Sequence, residues 1–557
     1  MKRKFLLSGI IAIVVIAAAA GTWAFQQKSS EKSQNPTKLL STAQIKKNLG
    51  VELVTTRQDK QEAATTEYAA AAENSQYTLD NPYIKINPYG TSPLTALVTF
   101  TTSQKASVSY TVVGKTDGSS ITNTVNGGAQ TVHQLAITGL YASYDNTVKI
   151  TVSYADGTTA EKTLTLTTGK LPQYIENAEV TVTNVDKSKM EIGDNKLTIL
   201  NRTTKEPFAV DADGEVRWYL TDYSQHTIEQ WSGGHLMILS KEKQNSLVYN
   251  DLIEVDVLGR IYKEFTFSSK TSATDGGEET TVIHHDLLEL PNGNILATVS
   301  DGSVYKEDTI AEISYETGEV VKIVDFKTIF PAEFYENYEA GADKKVDWLH
   351  TNALNYDKND DTILISNRNQ DLTMKFDGET NKIVWLYSGK AKEDWPEDMQ
   401  KYVLTPTEDT SITGGQHGLT LLSDEDGNPD SENILLFDNN INVTNGDKST
   451  SGQYSQAVEY HIDMKKMTID ETWSWGKDLG KANFSMIIGY AQRQANGNTL
   501  IDFGFLSNGA ESNIIEVAAD GSQVFNLTVK NAASKAYVYR AYREAFYSSD
   551  YVFDARS

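Results

Sequence analysis

The chain has 557 residues, no cysteine and a formal net charge of −25 at pH 7. This length exceeds that of one ordinary hydrophobic core, so two or more domains are expected. The absence of cysteine excludes disulfides, thiolate metal sites, a cysteine nucleophile and a lipoprotein anchor. The acidic charge argues against binding to nucleic acid or to anionic lipid, whereas the 28 tyrosines and 37 glycines favour β structure.

Residues 1–25 begin with three basic residues and continue as a long apolar run, which is typical of an export signal. The run is also long enough to span a bilayer, so a cleaved signal peptide and a retained membrane anchor both stay open. The rest of the chain is predicted to lie outside the cytoplasm, at the cell surface or secreted, with membrane contact only through this segment. Residues 26–76 are polar and are predicted to form a partly helical linker, with helices near 39–53 and 61–74.

Residues 77–170 change character and show short strands in which apolar and polar residues alternate. These strands are predicted at 96–101, 106–112, 147–152 and 162–167. Glycine, aspartate and asparagine turns separate them, which is the pattern of a small β-sandwich. The segment has one histidine, His133, and no carboxylate cluster, so we interpret it as a structural domain.

From about residue 190, a unit recurs six times: an apolar strand, then a hairpin with a glycine-containing or polar turn and a strand ending in aromatic residues. The strands that open the units are predicted at 196–200, 235–239, 294–299, 362–366, 433–438 and 498–503. Such a repeat of roughly 40–70 residues indicates a propeller. The sequence thus predicts an all-β protein, with a six-bladed β-propeller catalytic domain at 171–557 after the β-sandwich. The tyrosine-rich segment 536–551 is a candidate for the strand that closes the ring.

Several basic side chains lie near the ends of these strands. Five of the eight histidines are at or near strand starts: His235, His284, His285, His350 and His417. Isolated histidines are more often structural than catalytic. However, His350 and Arg368 flank the strand 362–366, and His417 lies in the run Gly-Gly-Gln-His-Gly, where the backbone can approach a ligand closely. Because a propeller brings strand ends to one axis, we predict that these residues meet and hold an oxyanion.

The chain also resembles the bacterial arylsulfate sulfotransferases from about residue 80 onward. The segments that carry the resemblance are 347–352 (Asp-Trp-Leu-His-Thr-Asn), 366–370 (Ser-Asn-Arg-Asn-Gln), Gln416-His417, 492–500 and His284-His285-Asp286 with the following Pro-Asn-Gly-Asn. The resemblance implies a propeller enzyme that moves a sulfuryl group from an aryl sulfate to a phenol, without a nucleotide or other cofactor. It implies a ping-pong mechanism through a sulfated histidine.

By motif position, the resemblance assigns the nucleophile to His417. His350, Arg368 and His285 would be the other catalytic residues, and His284 and Asn352 would bind substrate. His285 is preferred over His284 because it directly precedes Asp286. The partners implied are small aryl sulfates and phenols, and a homodimer is left open.

Two other readings remain open from the sequence. One is a non-catalytic, surface-tethered propeller that binds a glycan or a protein partner. For Arg368 itself, a structural ion pair with a nearby aspartate is also open. The other is a metal-dependent hydrolase or lyase that uses His284, His285 and Asp286. Adjacent residues of a strand point to opposite faces, which argues against this metal site.

Overall fold

The computed structural model describes residues 39–203, 205–241, 248–268, 281–423, 427–530 and 536–557, with only the backbone described at residue 194. The predicted export segment, residues 1–25, lies outside these ranges. Within them, no helix is both long and apolar enough to cross a lipid bilayer. Strands greatly outnumber helices in these ranges, which confirms the all-β class.

The N-terminal domain is a β-sandwich built around one long strand, Ala96–Val112. The pairing register of this strand shifts near its middle, so its two halves pair with different strands. Its first half pairs with Tyr83–Ile86 and Gln130–Ile137, and its second half pairs with Ile121–Thr124 and Asp145–Tyr154, beside which Thr159–Thr167 lies at the edge. Alternate residues of Asp145–Tyr154 are buried, as a sandwich requires. The predicted sandwich is confirmed, and burial lowers the pKa of its His133 to about 4.

The remaining strands form six sheets across the described residues, each with a core of four antiparallel strands. We number the sheets as blades in chain order and give the strands of each from the innermost outward. Blade one has Val538–Glu544, Leu197–Arg202, Phe208–Val210 and Val216–Tyr219; blade two has Ile228–Trp231, His235–Ser240, Asp251–Val255 and Ile261–Thr266; and blade three has Ile283–Glu289, Ile295–Val299, Thr309–Ile313 and Val320–Asp325. Blade four has Thr351–Asp357, Thr362–Asn367, Leu372–Asp377 and Ile383–Tyr387; blade five has His417–Leu421, Ser431–Asp438, Gln456–Asp463 and Thr468–Trp475; and blade six has Tyr490–Arg493, Thr499–Leu506, Glu511–Val517 and Gln523–Lys530. Outer strands extend blades two, five and six, in that order: Glu52–Val54, Thr405–Pro406 and Val180–Val185. This is a propeller, in which neighbouring blades bury faces that one sheet cannot bury alone.

The strands that were predicted to open each unit are in fact the second strands of their blades. In blade four, for example, Thr362–Asn367 pairs on its inner side with Thr351–Asp357. Every residue of Thr362–Asn367 is buried, so this strand gives a continuous apolar signal. The innermost strands carry polar residues at the axis and were therefore missed, which made the prediction wrong by one strand.

The tyrosine-rich C-terminal segment supplies the innermost strand of blade one, as predicted, because Val538–Glu544 pairs with Leu197–Arg202. Arg540 on this strand marks the axis of the propeller. Its guanidinium donates to Asp286 of blade three (2.8 Å) and to the carbonyl of Asn352 of blade four (3.2 Å). One buried side chain thus joins three blades at the centre.

The described part of the predicted linker is not a free tether. Its helices, Thr42–Leu49 and Thr56–Glu73, flank Glu52–Val54, which extends blade two. The first helix places two apolar residues in the core shared by blades two and three. Arg57 in the second helix donates from Nε to Glu264 of blade two (2.8 Å). Two single-turn helices complete the α-helices of the described residues, Gln173–Glu176 and Glu333–Glu336, and short 3₁₀ helices lie in several of the loops.

Candidate active site

Hydrogen bonds between blades four and five bring the predicted site residues together. The side-chain amide of Asn352 donates to the carbonyl of Gln416 (2.8 Å). In return, the side-chain amide of Gln416 donates to the carbonyls of Asn367 (3.3 Å) and Leu372 (3.1 Å). Asn352 follows His350 by two residues, Asn367 directly precedes Arg368, and Gln416 directly precedes His417. These hydrogen bonds therefore bring His350, Arg368 and His417 to one end of the axis.

His417 is held in one neutral tautomer. Its Nδ1 lies 2.9 Å from the carbonyl of Gly415 and 2.8 Å from Oδ1 of Asn439. The amide nitrogen of Asn439 donates to the carbonyls of Ser485 and Ile488, both at 2.7 Å, so its oxygen must face His417. Nδ1 therefore carries the hydrogen, and Nε2 keeps a lone pair with no hydrogen-bond partner among the described residues.

The electrostatic surroundings keep this imidazole uncharged. Burial lowers the pKa of His417 well below 6.5, and the positive charge of Arg368 lowers it further. The hydrogen bond from the side chain of Gln416 to the carbonyl of Asn367 brings their neighbours His417 and Arg368 to the same end of the axis. A neutral imidazole with a free Nε2 lone pair is the form that can act as a nucleophile.

A carboxylate fixes the loop that carries His417. Asp371, at the end of the turn after Arg368, has a left-handed backbone with φ 49°. Its side chain accepts hydrogen bonds from five backbone N–H groups, those of Gly415, Val443, Thr444, Asn445 and Gly446. Two separate loops are thereby locked against blade four.

His350 has the opposite charge state to His417. Its Nδ1 lies 2.6 Å from Oε2 of Glu307 and 2.8 Å from Oδ2 of Asp347. Burial alone would lower the pKa of His350, but the two carboxylates outweigh it and raise the pKa to about 9. His350 is therefore an imidazolium at neutral pH, and Nε2–H is its remaining donor.

Arg368 supplies a second cation. Its backbone N–H donates to the carbonyl of His350 (3.0 Å), and Nη1 donates to Oδ1 of Asn369 (2.8 Å). Nε is buried and has no hydrogen-bond partner in the described ranges. No carboxylate in those ranges pairs with the guanidinium, so the structural ion pair considered from the sequence is not formed. Its unused donors match the oxygens of a tetrahedral anion.

The adjacent histidines of blade three lie together. A bulge after His284 and a left-handed backbone at His285 (φ 44°) place the two Nδ1 atoms 2.8 Å apart. The expectation that adjacent histidines point to opposite faces, which assumed a regular strand, was wrong here. His285 also lies edge-on to His350, with ring centroids 4.7 Å apart, so His285 is the one in contact with the predicted site.

His226 completes this group and was not predicted. Its ring stacks on that of His285, with centroids 4.5 Å apart and planes 7° apart. Its Nδ1 accepts a hydrogen bond from the backbone N–H of His285 (3.0 Å). Burial lowers the pKa of His226 to about 3, that of His284 to about 4 and that of His285 well below 6.5. Three neutral imidazoles therefore lie beside the charged His350.

The residues proposed from the sequence as metal ligands are not arranged as one site. Asp286 is engaged by Arg540 through Oδ1 and by the backbone N–H of residue 354 through Oδ2, both at 2.8 Å. In the described part of the chain, the group that could hold a metal ion is instead His285, Glu307 and His350, with ligand atoms within 4.8 Å of one another. A metal ion bound to these three residues would have to separate His350 from Glu307.

Four residues of this site share a left-handed backbone, which no local pattern announces. They are His226 (φ 60°), His285 (φ 44°), Glu307 (φ 58°) and His350 (φ 60°). Residues other than glycine are uncommon in this region, and such strain concentrates at functional sites. His226 and Glu307 had no signal in the sequence, because neither lies in a strand or beside a glycine.

The fold and the site define an all-β propeller protein with an N-terminal β-sandwich domain and with histidines and an arginine gathered at one end of its axis. The family Arylsulfotransferase (ASST) matches residues 182–540, and the Arylsulfotransferase Ig-like domain matches residues 83–169. The chain belongs to the arylsulfotransferase family and is a sulfotransferase. The resemblance found in the sequence is thereby confirmed.

Relatives agree with this assignment. Arylsulfate sulfotransferase AssT of Escherichia coli O6:H1 is 24% identical over 522 residues, covering 75% of this chain and 84% of that protein. Arylsulfate sulfotransferase AssT of Lelliottia amnigena is 23% identical over 539 residues, covering 79% and 87%. Among solved structures, a protein of unknown function from Bacteroides caccae is 13% identical with a TM-score of 0.32, covering 69% of this chain and 97% of that one.

Proposed function

We propose that the protein moves a sulfuryl group from an aryl sulfate to a phenol in two steps, through sulfated His417. In the first step, the Nε2 lone pair attacks sulfur, an N–S bond forms and the bond from sulfur to the aryl oxygen breaks. In the second step, the oxygen of a phenol attacks sulfur and the N–S bond breaks. The observation that carries this proposal is the neutral, single-tautomer imidazole of His417 beside two cations.

The charge that develops in this reaction has matching groups. The sulfate oxygens would be bound by the unpaired donors of Arg368 and stabilised by the positive charge of His350, both of which are in place before substrate enters. As Nε2 bonds to sulfur, positive charge grows on the imidazole of His417. The carbonyl of Gly415 and the side-chain Oδ1 of Asn439 accept the Nδ1–H and stabilise that charge.

Proton transfer can use the histidine group. The pKa of His350, about 9, lies near that of an ordinary phenol, about 10. Its Nε2–H can therefore protonate the departing phenolate, and the resulting neutral imidazole can take the proton from the incoming phenol. His285 is a second candidate base because it is neutral and borders His350, with His284 close behind it. Asn352 holds the loop of His417 through Gln416 and supports the substrate site.

We assign this chemistry to the propeller, predicted at residues 171–557, and place the enzyme outside the cytoplasm. The location rests on the basic and apolar pattern of residues 1–25. Transfer without a nucleotide suits such a location, because the donor ester carries its own activated sulfuryl group.

The decisive experiment is intact-mass analysis after incubation with an aryl sulfate alone. We expect one added sulfuryl group on the wild type and none on His417→Asn. His461→Asn is a matched control, because His461 lies on the third strand of blade five, Gln456–Asp463, and not on its innermost strand. There its Nδ1 lies 2.9 Å from Oδ1 of Asn433. A wild type that gains no mass and transfers nothing to a phenol would instead support a binding propeller. Full activity in His417→Asn would also overturn the proposal.

A further inference from the structure

His226 lies in a strained turn just before the innermost strand of blade two, Ile228–Trp231. It is the central residue of three, and the backbone N–H of Thr227 donates to the carbonyl of Gln225 (2.7 Å) across it. Its φ is 60°, and a three-residue turn with a positive φ is rare and strained. The turn directs the imidazole towards blade three, where it meets His285.

His226 contacts His285 in two ways. Its Nδ1 accepts a hydrogen bond from the backbone N–H of His285 (3.0 Å), which supports the left-handed backbone there. Its ring also stacks on the ring of His285, with centroids 4.5 Å apart and planes 7° apart. One imidazole thus holds both the backbone and the side chain of the other.

The neighbours of His226 hold it in one tautomer and one orientation. Because this neutral imidazole accepts at Nδ1, its hydrogen lies on Nε2. The side-chain nitrogen of Gln225 lies 3.4 Å from Nε2, and the side-chain oxygen of Gln225 has no partner among the described residues. Turning this amide over places the oxygen opposite Nε2–H and satisfies both groups. The ring of Tyr539 packs against His226, with centroids 4.7 Å apart.

The ring that His226 holds has one nitrogen left for a substrate. Nδ1 of His285 lies 2.8 Å from Nδ1 of His284, so one of the two atoms donates a hydrogen to the other. With His285 as the donor, its Nε2 keeps a lone pair. The ring is edge-on to that of His350, with centroids 4.7 Å apart and planes 69° apart. A rotation of the His285 ring would therefore redirect this lone pair and change the contact with His350.

We propose that His226 is a positioning residue, which holds the ring of His285 so that Nε2 of His285 receives the proton of the acceptor phenol. This inference rests on the proposed function, and of the two candidate bases it selects His285. As the phenolic oxygen bonds to sulfur, its proton passes to Nε2 and the N–S bond of sulfated His417 breaks. The same nitrogen then gives that proton to the phenolate that leaves the next donor. His226 acts only through His285.

Two variants separate the two contacts of His226. His226→Asn keeps an acceptor in place of Nδ1 and tolerates a left-handed backbone, but it lacks the stacked ring. His226→Phe keeps a stacked ring, but it leaves the backbone N–H of His285 without an acceptor. We expect the Asn variant to keep its melting temperature and to lose about tenfold in kcat/KM for the acceptor phenol. The Phe variant should melt at a lower temperature and keep this constant within about threefold.

The effect of His226→Asn on the donor should depend on the leaving group. In a two-step reaction of this kind, kcat/KM for the donor reports only the first step. An acidic phenol leaves without protonation, so kcat/KM for its ester should stay unchanged. A weakly acidic phenol needs the proton from His285, so its ester should lose about tenfold.

A double variant tests whether His226 acts through His285. Adding His226→Asn to His285→Ala should lower kcat/KM for the acceptor by less than about twofold, because the ring that His226 positions is already absent. His235→Asn is the matched control, because His235 lies at the other end of the same blade and also stacks on an aromatic ring, that of Tyr262, with centroids 4.0 Å apart. Its Nδ1 lies 2.7 Å from Oε1 of Glu254. This variant should leave the kinetic constants unchanged.

Four outcomes would overturn the inference. They are wild-type kinetics in His226→Asn, a tenfold loss in His226→Phe, equal losses for acidic and weakly acidic leaving groups, and losses that add fully in the double variant. If His226→Asn does not fold, His226→Phe alone and in the His285→Ala background decides the matter. Absence of transfer by the wild type would instead overturn the proposed function, whereas the four outcomes above require an active wild type.

Discussion

The charge of His350 gives the sharpest test of the site, because it depends on two identified carboxylates. The rise of its pKa from 6.5 to about 9 corresponds to a preference of about 3 kcal/mol for the charged form. Glu307 and Asp347 lie at similar distances from Nδ1. Because burial opposes the charged form, the two carboxylates together contribute more than the net rise, so removing one charge should remove more than half of that preference and lower the alkaline limit of activity by more than about one pH unit.

The test variant is Glu307→Gln, which keeps the shape and removes the charge. If the charge of His350 assists the first half-reaction, its rate in this variant should be least affected near pH 6 and at least about fivefold lower than in the wild type near pH 9. The assay is the rapid release of a chromogenic phenol from an aryl sulfate without an acceptor. This choice matters because the donor ester keeps a constant charge, whereas an acceptor phenol would add its own titration.

Glu316→Gln is the control, because Glu316 lies in a hairpin of the same blade with its side chain 81% exposed. It should leave the pH profile unchanged. An alkaline limit that stays in place in Glu307→Gln, or that moves to higher pH, would refute the reasoning about His350. Stability should follow the same sign: a raised histidine pKa contributes to the free energy of unfolding below pH 6.5, and that contribution is lost as pH rises through about 9.

Three further outcomes follow from the site. Asp371→Asn should lower the free energy of unfolding by about 2–4 kcal/mol in chemical denaturation, because it removes a charged acceptor of five backbone N–H groups; an unchanged denaturation midpoint would contradict this. Asn439→Ala should reduce kcat about tenfold, since the carbonyl of Gly415 still accepts the Nδ1–H of His417 and keeps part of the tautomer preference; a loss as complete as that of His417→Asn would show that this carbonyl does not suffice. Activity should survive a chelator, because His350 and Glu307, two of the three potential metal ligands, are already paired with each other. Added Zn²⁺ should inhibit in competition with the aryl sulfate, because it would occupy these ligands. Loss of activity with a chelator would instead support the metal-dependent alternative.

The fold could be read from the sequence where burial leaves a periodic or continuous signal. The second strand of each blade is buried on both faces, so its apolar run stands out, as in Thr362–Asn367. The innermost strands face the axis with polar residues such as Arg540, so their pattern is broken. The repeat was therefore recognised while its starting strand was misplaced.

The site residues also fall into those that a local sequence pattern predicts and those that it misses. His350, Arg368 and His417 were found because they lie at the ends of recognisable strands or among glycines. His226 and Tyr539 could not be predicted from such a local pattern, because each reaches the site only through contact with residues that are distant in the chain. Their positions depend on left-handed backbone turns and on the return of the C-terminal strand to blade one.

The C-terminal strand of blade one also determines when the site can be assembled during synthesis of the chain. Val538–Glu544 follows every other described strand in the chain, yet it is the innermost strand of blade one and brings Tyr539 to the histidines and Arg540 to Asp286. A nascent chain that stops short of this strand contains His417 but lacks both the strand that closes the ring and the arginine at its axis. The arrangement of side chains at the axis can therefore be complete only after this strand has emerged and docked.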